Sequence, residues 1–136
     1  MITPRCPDQE QSISLREQMK KRILLVDSEE GYRLIIASLL SEEGHRVSTC
    51  ADAPAAIRLV EREPFDFAIV EHSTPVLDGL GLLEEIRKRD QGIPVLLVAA
   101  QYDVEPYLVA MNLGALDFFC KPLDYGEIQR LIKTYG

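Results

Sequence analysis

The segment KRILLVDSEEGYRLIIASLLSEEG, residues 21–44, decides the fold class of this 136-residue chain. The apolar run at residues 23–26 predicts a strand that is covered on both faces. Residues 32–43 follow as an amphipathic helix that ends at Gly44. The apolar residues expected on one face of this helix are Leu34, Ile35, Leu39 and Leu40. A buried strand followed by such a helix is the repeating unit of an α/β domain with a parallel sheet.

The same alternation repeats four more times along the chain. Further strands are expected at residues 46–49, 67–70, 95–98 and 116–119. Helices are expected between and after these strands, and Asp52, Asp103 and Asp124 are the predicted caps of three of them. The pattern therefore predicts about five parallel strands and five helices.

The length of the chain fits one domain, with a boundary near residue 21. Residues 1–20 contain Pro4 and Pro7 and lack sustained periodicity, so we expect a loose N-terminal extension. A capping-box pattern at residues 14–17 leaves a short helix there as the alternative. The compact domain is expected to span residues 21–136.

Charge and composition exclude several classes of function. A net charge of −7 argues against direct binding of nucleic acid or an anionic membrane by this domain alone. No apolar run approaches the roughly 20 residues of a membrane span, so a cytoplasmic protein is expected.

Cys6, Cys50 and Cys120 are too widely spaced for a metal motif and are expected to be reduced thiols. His45 is expected to be a surface residue.

The chemically informative residues follow the ends of the predicted strands. Asp27 ends the first, Glu71 the third and Ala99 the fourth, while Lys121 and Pro122 end the fifth. In a doubly wound sheet, functional groups gather beyond the carboxyl ends of the strands. These residues are therefore expected to lie close together.

The order and spacing of these residues resemble the receiver domain of two-component response regulators. Further matching features are Pro75, Asp78–Gly79, Ile93–Pro94 and Gly114–Ala115. The resemblance covers residues 21–136 and implies a flavodoxin-like doubly wound (βα)5 fold with strand order 2-1-3-4-5. It also implies phosphorelay signal transduction, in which a histidine kinase supplies a phosphoryl group to an aspartate on the third strand. Mg²⁺ and a lysine assist that transfer.

The chain departs from the family pattern at three positions of the site. Ser28 stands where the family has a second acid that supports Mg²⁺, and Glu71 stands at the position of the phosphoaccepting aspartate. Ala99 replaces the hydroxyl residue that bonds the phosphoryl group. The aromatic partner of that hydroxyl corresponds to Phe118, and Lys121 is retained. The Lys121–Pro122 bond is a cis candidate, since it is commonly cis in the family.

These departures imply a pseudo-receiver that holds no Mg²⁺, or holds it weakly. Lys121 is expected to form a salt bridge to Glu71 or Asp27, so that two carboxylates face one ammonium group. Any metal would depend on Asp27 and Glu71, because Glu29 is expected to point into the start of the first helix. The longer side chain of Glu71 would imitate a permanently phosphorylated aspartate, although with less negative charge.

The expected function is that of a signalling module, not an enzyme, that acts by binding a histidine kinase, an effector protein or a second copy of itself. The expected face comprises the fourth helix, fifth strand and fifth helix, with Glu105, Tyr107, Asp117 and Arg130 as candidate contacts. The alternative is a receiver that still accepts phosphate on Glu71 or His72 with Mg²⁺. A flavodoxin-like electron carrier is disfavoured, because no phosphate-binding loop rich in Ser and Thr follows the first strand.

Overall fold

The computed structural model describes residues 20–136, which form five strands and five helices. The strands are β1 Arg22–Val26, β2 Arg46–Cys50, β3 Phe67–His72, β4 Val95–Ala99 and β5 Asp117–Cys120. The helices are α1 Glu30–Glu42, α2 Ala53–Arg62, α3 Gly79–Arg89, α4 Val104–Asn112 and α5 Tyr125–Tyr135. The N-terminal extension, whether loose or partly helical, lies outside the described residues except for Lys20.

The five strands form one parallel sheet in the order β2-β1-β3-β4-β5. The predicted fold class is therefore confirmed. The strand order reverses between β1 and β3, and the carboxyl ends of these two strands lie side by side. This reversal opens the crevice where doubly wound domains place their functional groups.

The sheet separates two apolar layers. Leu24 and Val26 face one layer, while Ile23 and Leu25 face the other, because successive side chains of a strand point to opposite faces. Core residues of α2, α3 and α4 belong to the first layer, and those of α1 and α5 belong to the second. No helix within residues 20–136 is long and apolar enough to cross a membrane.

Capping aspartates and a glycine of positive φ mark several helix ends, at positions that the sequence predicted. Asp52 accepts a hydrogen bond from the backbone N–H of Ala55 at 2.8 Å, and Asp103 and Asp124 cap their helices in the same way. Gly44 follows α1 with a φ of 93°, a conformation that side chains with a Cβ rarely adopt. These three caps fix where α2, α4 and α5 begin.

Two expectations about individual residues are wrong. Leu34 and Ile35 of α1 are 57% and 61% exposed, and the helix buries Ile36 together with the expected Leu40. The apolar run at residues 34–37 is compatible with more than one rotation of the helix, and packing against the sheet selects this one. His45 is buried, with its Nδ1 accepting the backbone N–H of Lys21 at 3.1 Å. It joins the start of β1 to the loop before β2.

Two helical glycines should respond in opposite ways to replacement by alanine. A Cβ on Gly79 would lie 2.4 Å from the carbonyl oxygen of Glu71, whereas a Cβ on Gly31 meets nothing within 4 Å. Gly79→Ala should lower the free energy of unfolding by about 2 kcal/mol, because α3 must move away from β3. Gly31→Ala should raise it by up to about 1 kcal/mol. Urea unfolding followed by circular dichroism measures both, and equal effects would contradict the close approach of α3.

Candidate functional site

The structure brings Asp27, Glu71 and Lys121 together at the carboxyl ends of the strands. The Lys121 Nζ lies 3.0 Å from the Asp27 Oδ2 and 2.8 Å from the Glu71 Oε2. All three side chains are largely buried, with exposed fractions of 6%, 3% and 11% for Asp27, Glu71 and Lys121. A buried ion network therefore joins three strands of the sheet.

Glu29 is a third carboxylate in this network, and sequence reasoning placed it wrongly. The residue precedes α1, but its side chain does not cap the helix, and its Oε1 lies 3.1 Å from the Lys121 Nζ. Oxygens of Glu29, Asp27 and Glu71 lie within 4.8 Å of one another. The signal in the sequence was the position of Glu29 just after β1, at the point where the strand order reverses.

Two serines donate hydrogen bonds to the second carboxylate oxygen of Glu71. The Oε1 accepts hydrogen bonds from the Ser28 backbone N–H at 3.0 Å and from the Ser28 hydroxyl at 2.5 Å. The Ser73 hydroxyl donates to the same oxygen at 3.1 Å. Ser28 thus bonds the carboxylate of Glu71 instead of adding a negative charge beside it. Sequence reasoning missed Ser73.

The network shifts the titration of its members in different directions. Burial opposes ionisation of Glu71, but hydrogen bonds from Lys121 and Ser28 outweigh it and lower the pKa of Glu71 to about 2. For Asp27, burial dominates and the pKa is raised. Burial also opposes the charge on Lys121, yet its bonds to Glu71, Asp27 and Glu29 raise its pKa. Glu71 and Lys121 are therefore both charged near neutral pH.

The charged groups of the site differ from the expected two carboxylates against one ammonium group. With Glu29 included, three carboxylates face Lys121. Arg33 adds positive charge nearby, since its Nη1 donates to the Asp27 carbonyl oxygen at 2.7 Å. The added carboxylate and the added guanidinium offset each other, so the site has more charged groups than the sequence indicated but the same net charge.

The aromatic residue Phe118 is turned into the core. Phe118 and Ala99 are 7% and 6% exposed and share one apolar cluster. The ring of Phe118 meets those of Tyr102 and Tyr107 at nearly right angles, with centroids 6.5 and 6.0 Å apart. Such edge-to-face contacts are favourable. The two tyrosines, whose packing was not predicted, link Phe118 to the start of α4.

His72 and the prolines complete the surroundings of the site. The His72 Nδ1 accepts a hydrogen bond from the backbone N–H of Gly79 at 3.1 Å. This bond holds the first residue of α3 against the end of β3. The Lys121–Pro122 peptide bond is cis, and so is the Thr74–Pro75 bond, which was not predicted.

The candidate partner residues lie on α4, β5 and α5. Glu105 and Arg130 are exposed, while Tyr107 and Asp117 are partly buried, and Arg130 pairs with Glu127 at 2.5 Å. Sequence reasoning missed an apolar stripe on α4 that consists of Val104, Leu108 and Met111, which are 56%, 60% and 37% exposed. Its spacing of four and three residues was the available signal.

The pKa of Glu71 predicts a specific loss of stability in acid. Because folding lowers this pKa from 4.5 to about 2, the stabilisation is complete above pH 4.5 and disappears as the pH falls towards 2. The loss should be at most about 3 kcal/mol, partly offset by the raised pKa of Asp27. Glu71→Gln should flatten the pH dependence of urea unfolding in this window. Glu85→Gln, which alters an exposed ion pair, is the control, and an equal effect of both variants would contradict the assignment.

The chain is similar to known proteins over most of its length. The family model "Response regulator receiver domain" matches residues 23–133. The chain is 35% identical over 134 residues to "Probable transcriptional regulator ycf27" of Guillardia theta, covering 98% of this chain and 50% of that protein. It is 29% identical over 117 residues to "Sporulation initiation phosphotransferase F" of Bacillus subtilis (strain 168), covering 86% and 94%.

Solved structures give the same result. The receiver domain protein (CheY-like) from Methanospirillum hungatei JF-1 superposes with a TM-score of 0.80 at 28% identity, covering 85% of this chain and 92% of that one. The chain spans about half the length of the Guillardia theta relative. The chain therefore belongs to the family of response regulator receiver domains, the signalling modules of two-component systems.

Proposed function

We propose that this receiver domain works without phosphorylation, as a pseudo-receiver that acts by binding a partner protein. The observation that carries the proposal is the state of Glu71. Its Oε2 is held by Lys121, and its Oε1 accepts three hydrogen bonds from Ser28 and Ser73. Both oxygens of the carboxylate at the phosphoacceptor position therefore form bonds within the domain.

Phosphoryl transfer to Glu71 is disfavoured on chemical grounds. A carboxylate oxygen attacks phosphorus in line with the leaving group. The Oε1 of Glu71 accepts three hydrogen bonds, and the Oε2, which keeps a lone pair beside Lys121, belongs to a side chain that is only 3% exposed, so burial restricts the approach of a phosphodonor. The extra methylene of glutamate also moves the carboxylate from the position of an aspartate. A displacement of about 1 Å can cost about 100-fold in rate. Both effects oppose the same step.

Weak or absent Mg²⁺ binding is part of the proposal. The residues present offer three carboxylates to a cation, but the Lys121 ammonium group contacts Asp27, Glu29 and Glu71 at distances of 2.8 to 3.1 Å. Ser28 supplies no negative charge. A divalent cation would have to displace a bound ammonium group from its ligands, and this cost opposes binding.

We further propose that Glu71 imitates a phosphorylated aspartate. The Glu71–Lys121 pair holds the ends of β3 and β5 together, as a phosphoryl group bound by lysine would. Ala99 has no hydroxyl to respond to phosphate, and Phe118 is packed inward under Tyr102 and Tyr107. The partner-binding face is therefore held in one arrangement.

The partner is proposed to bind the face formed by α4, β5 and α5. This face combines the apolar stripe of Val104, Leu108 and Met111 with the charged residues Glu105 and Arg130. An exposed apolar stripe on a chain of net charge −7 suits a protein partner better than nucleic acid. The partner is a histidine kinase, an effector protein or a second copy of the chain.

A receiver that still accepts phosphate remains the alternative, and one observation favours it. The approach of Glu29, Asp27 and Glu71 provides three carboxylates at one place, as a divalent cation requires. The acceptor would then be Glu71 or His72, and in His72 the Nε2 would be the reacting atom, because its Nδ1 already accepts backbone hydrogen bonds from α3.

Titration with Mg²⁺ and then beryllofluoride, followed by amide NMR, should separate the two functions. The wild-type protein should show little change around Asp27, Glu71 and Lys121. The triple variant Ser28→Asp, Glu71→Asp, Ala99→Thr should regain these shifts and incorporate label from acetyl phosphate with Mg²⁺. Glu71→Asp alone is the matched control. Labelling of the wild-type protein by acetyl phosphate would refute the proposal.

Sedimentation tests the proposed face for self-association. Leu108→Asp and Arg130→Glu should each shift a dimer towards monomer by at least about tenfold in dissociation constant, because each adds negative charge to the face. Leu34→Asp, which places the same charge on an equally exposed residue of α1, should have no effect. Loss of the dimer in all three variants would contradict the location of the face. A wild-type monomer at every concentration would exclude the second copy as partner.

A further inference from the structure

We infer that Tyr32 is the positioning residue of the site, which holds the Lys121 ammonium group among its carboxylates and joins this network to the start of α5. The inference deepens the proposed function and rests on it, because Lys121 is the group that Tyr32 positions. Two contacts of the one side chain carry it, one through the ring and one through the hydroxyl.

The ring of Tyr32 lies against the charged end of Lys121. The distance from the Lys121 Nζ to the ring centroid is 4.3 Å, within the range at which an ammonium group is attracted to the face of an aromatic ring. Carboxylates surround the same nitrogen at 2.8 to 3.1 Å. The ring also shields the lysine from water, since the Lys121 side chain is 11% exposed. This shielding strengthens each of its ion pairs.

The hydroxyl of Tyr32 makes a separate contact with another segment. It accepts the backbone N–H of Leu123 at 2.7 Å. Leu123 immediately precedes Asp124, which caps α5 by accepting the backbone N–H groups of Gly126 and Glu127. The hydroxyl therefore fixes the loop between β5 and α5 one residue before the helix cap.

A space-filling role does not account for this pair of contacts. Tyr32 is only partly buried and packs against the apolar layer of α1 and α5. A leucine would fill part of that space but would lack the ring and the hydroxyl. A phenylalanine would keep the ring over Lys121 and lose only the bond to Leu123. The two contacts can therefore be removed one at a time.

The consequence is a direct connection between the ion network and the partner-binding face. α5 carries Arg130 on that face, and its first turn is fixed through Leu123 by the residue that covers Lys121. A change in the position of Lys121 alters the contact between its ammonium group and the Tyr32 ring. That change then reaches α5 without involving Ala99 or Phe118, which lie in the opposite apolar layer.

Two variants, Tyr32→Phe and Tyr32→Leu, test the inference in protein labelled with ¹⁵N, with lysine side-chain ammonium and backbone amide signals recorded by NMR. In Tyr32→Phe, the Lys121 ammonium signal should keep its ring-current shift, while the Leu123 amide signal moves. In Tyr32→Leu, the ring-current shift should be lost, the Lys121 ammonium protons should exchange faster with water, and the Leu123 signal should move as well. Ile36→Val, which disturbs the buried face of the same helix, should leave the Lys121 signal unchanged.

An unchanged Lys121 signal in Tyr32→Leu would overturn the role of the ring. An unchanged Leu123 signal in Tyr32→Phe would overturn the role of the hydroxyl. If Tyr32→Leu fails to fold, the ring-current shift of Lys121 in the wild type and in Tyr32→Phe still decides the first point, because its absence from both contradicts the contact. These signals are recorded on protein that has met no phosphodonor, whereas phosphate uptake from acetyl phosphate is measured separately and would refute the proposed function, so the two failures are distinguishable.

Discussion

The contact on which this receiver depends is the buried ion pair between Glu71 and Lys121. A buried charge is costly unless it is paired and hydrogen-bonded, and here the remaining oxygen of Glu71 is satisfied by Ser28 and Ser73. The pair closes the carboxyl edge of the sheet between β3 and β5. Removing Lys121 would leave the buried carboxylate of Glu71 without a cation, whereas removing Glu71 would leave Lys121 paired with Asp27 and Glu29. The stability of the domain and the chemistry of its site are therefore governed by the same contact.

The substitutions at the site are consistent with one another in physical terms. A second acid at position 28 would lie beside Glu71 and add repulsion, but Ser28 donates two hydrogen bonds to it. Glutamate at position 71 reaches Lys121 with one oxygen and the serines with the other. Ala99 has no polar side-chain group that would need a partner, and Phe118 packs in the same apolar cluster. The polar groups of Ser28, Glu71 and Lys121 therefore satisfy one another within the pocket.

Most of the fold was predictable because it follows from local and periodic signals. Buried strands are recognisable in the sequence as continuous apolar runs. Asp52, Asp103 and Asp124 each cap a helix, as the sequence predicted. The rotation of α1 and the direction of Glu29 were not predictable in this way. Both depend on which groups of distant segments lie nearby: the sheet selects Ile36 over Ile35, and Lys121, 92 residues away, attracts Glu29. For the site, the positions of Asp27, Glu71 and Lys121 at the strand ends predicted that these residues lie close together. The contacts of Ser73 and Tyr32 became evident from the folded structure.

The two apolar layers have separate connections to the site, and this separation bears on how the domain communicates. In one layer, Phe118 packs under Tyr102 and Tyr107 and leads to the apolar stripe of α4. In the other layer, Tyr32 joins Lys121 to the loop before α5. The first connection is apolar at the sheet, where Ala99 offers no hydroxyl group beside Phe118. The second depends on a permanent charge. The helices α4 and α5 are therefore supported by different contacts, and within residues 20–136 the ion network is joined to the start of α5 through Tyr32 and Leu123.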